Sequence, residues 1–182
     1  TNSRGSLLAL DNAAQQWRVS GLLDNAGGEI GSNGDLRLDA GSLDNQNGTV
    51  KTQAALAVTT SGAVSNAGGN LLAGNALTLS AGGDVSNESG TLSGGQLILS
   101  ATGLLANGKG EISGQSLMLT TGTLNNALGK IVAQNDVTLT AQQGLNNAGG
   151  WLEAGNGLAL NAGGDWDNRG GTAQGGHQVN AS

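Results

Sequence analysis

Few side chains in this sequence have the types and spacing that chemistry needs. His177 is the only histidine, and a metal site or a catalytic base would need partners beside it that "GGHQVNAS" does not supply. It reads as a solvated loop residue. Asp24 and Asp44 would lie about 4.8 Å apart if successive passes of the chain stack in register, and paired carboxylates of that kind can take calcium. The equivalent positions further along are Ser65, Ser86 and Ala106, so an acidic cleft is not sustained. Glu29, Asp84 and Glu111 likewise fall where the pattern faces solvent. Trp151 stands at an outward position where other units carry Glu29, Thr49, Asn70, Thr91, Glu111 and Lys130. An indole there could stack on a sugar ring, or a neighbouring turn could cover it. "AGGDVSN" and "AGGDWDN" lack the G-G-x-G-x-D pattern of calcium turns, and a phosphate-binding loop would need a following helix that no segment predicts. Asn47, Asn87 and Asn180 open glycosylation triplets, as chance provides in a chain rich in Asn, Ser and Thr. The residues therefore point to no catalytic, metal or cofactor site, leaving Trp151 as a possible surface contact.

What must hold these side chains in place is a repeat. The chain has 182 residues, 34 of them Gly, with no Pro, Cys, Phe or Tyr and 11% charged residues. Disordered tracts are poor in aliphatic residues, whereas here Leu, Val, Ile and Ala recur regularly. A net charge of -6 with singly scattered Lys and Arg argues against nucleic acid and anionic membranes as partners. No apolar run approaches the roughly 18 residues that span a bilayer, which argues against membrane insertion.

Eight asparagines set the register: Asn25, Asn45, Asn66, Asn87, Asn107, Asn126, Asn147 and Asn168, at intervals of 19 to 21 residues. Three residues after each stands Gly28, Gly48, Gly69, Gly90, Gly110, Gly129, Gly150 or Gly171. Two before each is an apolar residue, from Leu23 to Trp166, and five after come Ile30, Val50, Leu71, Leu92, Ile112, Ile131, Leu152 and Ala173. Further on, stretches such as Leu36-Arg37-Leu38 and Val137-Thr138-Leu139 alternate with period two, the mark of a strand with one apolar face.

Each unit thus predicts three short strands between Gly- and Asn-rich turns, which fits an all-β parallel β-helix with one repeat per coil. The asparagines are expected to point inward at a corner, tolerating a left-handed backbone there and forming an amide ladder from coil to coil. Each following glycine predicts a positive φ or a crowded backbone. The units of Asn87 and Asn107 lose one residue ahead of Leu97 and Leu117, a deletion that a turn can absorb and a strand cannot. Residues 21–182 then form about eight coils. Residues 1–20 fit poorly, because Asn12 lies only 13 residues before Asn25, and are expected to form an irregular coil. With no capping element at either end, the natural chain is expected to continue in both directions.

At "GLLDNAGGEIGSNGDLRLDAG" and "GLNNAGGWLEAGNGLALNAGGDWDN" the sequence resembles the filamentous haemagglutinin repeats of large bacterial exoproteins made by two-partner secretion, which include adhesins and the stalks of contact-dependent growth inhibition effectors. The resemblance implies a right-handed β-helix serving as a non-enzymatic stalk, secreted or held at the cell surface. It also implies an outer-membrane secretion transporter as partner, and contact with a host or neighbouring cell through other parts of the protein. A flank of the helix that recognises carbohydrate or a receptor directly is the alternative.

Overall fold

The computed structural model describes all 182 residues. Nineteen strands and no helix form one continuous sheet that winds about an axis, and every strand pairs in parallel with its counterpart one coil away. On the first face of the coil, strands such as Glu29–Ser32, Thr49–Thr52 and Asn70–Ala73 stack so that Ile30, Val50, Leu71, Leu92, Ile112, Ile131 and Leu152 form one file. The second face carries the alternating segments, with Leu36 over Leu56 over Leu77. The third is short, as in Val64–Ser65 and Val85–Ser86. Alternation follows from the pleat: side chains two apart share a face, so each coil sends about four aliphatic residues inward. Thirty-three of these form a single buried cluster along the axis. The parallel β-helix expected from the repeat is the architecture found.

Residues 1–20 make a longer coil in the same register. Ser6–Ala9 pairs with Glu29–Ser32, and Gln15–Asp24 pairs with Leu36–Asp44. The extra residues sit in a loop over 10–14 between these strands, where Asn12 lies exposed. The residue that stacks above Asn25 is Asn2, in a phrase "NSRG" that repeats the Asn-x-x-Gly spacing.

The deletion ahead of Leu97 and Leu117 falls at the first corner. In most coils a two-residue bend separates the first and second strands. In the coils of Asn87 and Asn107 the bend is gone, and the strand runs unbroken over Thr91–Ala106 and Glu111–Asn125. The strands on either side of the corner keep their pairing with the coils above and below.

At the asparagine corner the left-handed residue is neither the asparagine nor the glycine three places on. It is the residue between them: Arg4, Gly27, Asn47, Gly68, Ser89, Lys109, Leu128, Gly149 and Gly170 have φ between 53° and 65°. The turn closes by an N–H of the following glycine donating to the asparagine carbonyl, as in Gly28 to Asn25 at 2.9 Å. A positive φ at the third position is what a type II turn requires. Leu128 is the worst fitted of these, an aliphatic residue at φ 60° that is 60% exposed. A left-handed non-glycine costs about 1–2 kcal/mol and glycine costs roughly 0.5–1 kcal/mol of extra chain entropy. Leu128→Gly is therefore expected to stabilise the protein by about 0.5–1 kcal/mol, read as a higher midpoint in urea denaturation.

Candidate functional site

The most organised constellation is internal. Seven asparagines, Asn25, Asn45, Asn66, Asn87, Asn107, Asn126 and Asn147, are fully buried, and Asn168 is half-buried. Each Nδ2 donates to Oδ1 of the next, from Asn2 through Asn168, at 2.6–2.7 Å. The same Nδ2 lies 3.2 Å from the carbonyl of the glycine three residues on, as Asn87 does from Gly90, and 3.2 Å from a first-strand carbonyl of the next coil, Glu111. All amide dipoles point one way along the axis. A buried amide left unpaired costs about 1–3 kcal/mol, and here each one is paired at both ends inside the file.

The eight turn glycines owe their place to crowding rather than to φ. A Cβ on Gly28, Gly48, Gly69, Gly90, Gly110, Gly129, Gly150 or Gly171 would fall on the backbone carbonyl oxygen of the ladder asparagine one coil back, and within 2.8 Å of Oδ1 of its own. Ladder and glycine file are thus one device: the coil closes tightly enough for adjacent amides to touch only because no side chain stands between them.

The acidic residues serve the turns. Asp24 and Asp44 are in register on neighbouring coils, and each Oδ1 accepts the N–H two residues on, from Ala26 and Gln46 at 3.0 Å. Asn125, Asn146 and Asp167 do the same at the equivalent corner position. Asp35, Asp84 and Asp136 reach along the axis to N–H groups of the next coil, at Ala55, Leu104 and Gly157. Sequence reading missed this role, for which an acidic or amide residue just before a turn was the available signal. The Arg169 guanidinium holds the Asp167 carboxyl down at about 2, a hydroxyl from Thr1 lowers Asp24, and Arg37 lowers Asp39. No three His, Cys, Asp or Glu residues come together in a way that could hold a metal ion. His177 is exposed.

On the surface, Trp151 is 42% exposed, with its Nε1–H donating to Glu153 Oε2 at 2.7 Å. It is in register with Lys130 and Thr172 of the neighbouring coils, on the outward side of the first strand. The outward aliphatic residues do not form one stripe. Leu72 and Val132 lie on the first face, separated by Ser93 and Ser113, while Ile98 and Met118 are neighbours on the second.

No curated protein and no solved structure matches the chain. The family model described as the haemagglutinin repeat matches residues 7–117 and 106–170, which omits only the first six and the last twelve positions. The matched stretches carry the ladder from Asn25 to Asn168 and every one of its turn glycines but the last. The chain belongs to the haemagglutinin repeat family.

Proposed function

We propose that this chain is a rigid stalk segment of a large bacterial exoprotein, secreted or held at the cell surface, which sets adhesive or toxin-bearing modules at a distance from the cell. The observation that carries the reading is the unbroken axial register from Asn2 to Asn168, in which every coil is held by parallel pairing, the amide ladder and the buried aliphatic files together. Eight intervals at about 4.8 Å make a column roughly 38 Å long. Its ordered groups point inward or along the axis, which suits a spacer better than a catalyst. In this reading an outer-membrane transporter of the two-partner type exports the chain, and contact with other cells is made through other parts of the protein.

A stalk built from equivalent storeys must tolerate loss of whole storeys. Deleting residues 66–106 removes two coils and joins Ser65 to Asn107 in register. The product is expected to fold and to be shorter by about 10 Å in small-angle X-ray scattering, whereas deleting residues 66–85 removes one residue less than a coil and disrupts the stack. A two-coil deletion that unfolds the chain would overturn the spacer reading.

A further inference from the structure

Charge is absent from one side of the column. On the second face, from the strand Leu56–Thr60 to the strand Gly157–Ala162, the outward positions between the buried aliphatic residues hold no ionisable side chain. Two rows run along the axis there. One is Ala57, Thr78, Ile98, Met118, Thr138 and Ala159, each in register with the next. The other lies two residues on and runs from Thr59 through Ser80, Ser100, Thr120 and Thr140 to Asn161. The whole chain carries a net charge of -6, so two copies repel one another where their charged faces meet and least where neither face is charged.

The first row reads nearly the same from either end: small, hydroxyl, large apolar, large apolar, hydroxyl, small. Ile98 is 37% exposed and Met118 is 53% exposed, and these two, at the middle, are the large apolar side chains of the rows. A two-fold axis that passes across the rods, between the faces and level with that midpoint, sets a second copy antiparallel to the first. Ile98 then meets the partner's Met118, Thr78 meets the partner's Thr138, and Ala57 meets the partner's Ala159. Hydroxyls face hydroxyls along most of the second row, and each can both donate and accept. A parallel pair would lay the first row on the second instead, with Ile98 over the partner's Ser100 and Met118 over the partner's Thr120, which packs apolar groups on polar ones. The uncharged area is about 29 Å by 16 Å, so two copies cover roughly 900 Å² between them, below the 1,200 Å² or so of stable complexes. Its composition, apolar and methionine-bearing at the centre with a polar rim, is that of an interface core.

We propose that this uncharged face is where two copies of the chain pair, antiparallel about the Ile98–Met118 midpoint, in a weak and reversible contact. The contact is isologous, so it closes at two copies and does not propagate into a sheet. Lateral pairing goes beyond the stalk reading and stands without it, since it depends on this face alone.

The test is sedimentation equilibrium of the whole 182-residue chain from micromolar to millimolar concentration, where a monomer–dimer equilibrium is expected. Met118 is the only methionine and the chain has no cysteine, so a 13C-methyl methionine resonance reports this face alone and should shift along the same concentration curve. Ile98→Lys and Met118→Lys each put a charge at the centre of the contact and are expected to raise the dissociation constant at least tenfold with unchanged circular-dichroism melts. Leu128→Lys removes an exposed leucine at the asparagine corner, where Lys109 already holds the equivalent left-handed position, and should leave it unaltered. A short bis-maleimide should link Thr78→Cys to Thr138→Cys when the two variants are mixed, and neither variant to itself. A dimer that survives both central lysine substitutions, or linkage of either cysteine variant to itself, would overturn the proposal. So would a chain that stays monomeric at millimolar concentration, which would leave the face to a partner of another kind.

Discussion

Gly110→Ala is expected to be among the most damaging single-methyl changes the chain can suffer, at about 3 kcal/mol or more, the upper end of what overpacking costs. The new Cβ would overlap the carbonyl oxygen of Asn87 and stand 2.6 Å from Oδ1 of Asn107. Neither can move freely. The Asn87 carbonyl accepts the Gly90 N–H that closes its own turn, and Asn107 Oδ1 receives the Asn87 amide. Relief therefore means separating two coils at the place where ladder, turn and strand pairing meet. Gly170→Ala is the control: it puts a methyl group at a φ of +65° with nothing within 4 Å, so only the left-handed strain of about 1–2 kcal/mol applies. Urea denaturation of both variants should place Gly110→Ala well below Gly170→Ala. Equal midpoints would mean that backbone conformation, not coil spacing, explains the glycine file.

The contrast between these two glycines also marks what the sequence could and could not reveal. The files of Asn, of Gly three places on and of aliphatic residues were legible because each position is one residue type, or nearly so, at every coil. A packing constraint repeated along an axis imposes that uniformity. The left-handed position was illegible because Gly27, Gly68, Gly149 and Gly170 alternate with Arg4, Asn47, Ser89, Lys109 and Leu128. The strain there is small enough for an exposed residue to bear, so composition is not forced. Asn2 escaped notice because its coil is two to three residues longer than the repeat, two of them in the loop over 10–14, which places it 23 positions from Asn25, outside the period. The straightened corner was invisible for a different reason. A one-residue deletion in two successive units can be counted in sequence, but that it merges two strands into one unbroken run over Thr91–Ala106 and Glu111–Asn125 follows only once the coils are stacked.

The ladder itself admits a test with an unusual sign. Asn87→Leu keeps the volume and removes the amide, leaving Asn107 Oδ1 with no donor and Asn66 Nδ2 with only its carbonyl contacts to Gly69 and Thr91. One orphan acceptor and one weakened donor amount to about 2–4 kcal/mol. A loss of packing alone would predict almost no change, so the size of the effect already separates the two accounts. Asn87→Asp goes further. One carboxylate oxygen can still accept from Asn66, but the other then faces Asn107 Oδ1, acceptor against acceptor, in a fully buried file. Protonation turns that oxygen into a donor and restores the link. The folded state therefore holds the proton more tightly than the unfolded chain, whose carboxyl titrates near about 3.9. Between that value and the raised folded one, the native state binds more protons, so the variant's stability falls as pH rises through the window and is recovered below it. The wild-type carboxylates behave oppositely. Asp24, Asp39 and Asp167 are held below their ordinary range, and what they contribute is present above about pH 4 and lost as pH falls. The difference in urea midpoint between Asn87→Asp and wild type should accordingly narrow from pH 7 to pH 3. A gap that stays constant across that range would show that the amides at position 87 are not joined donor to acceptor along the axis.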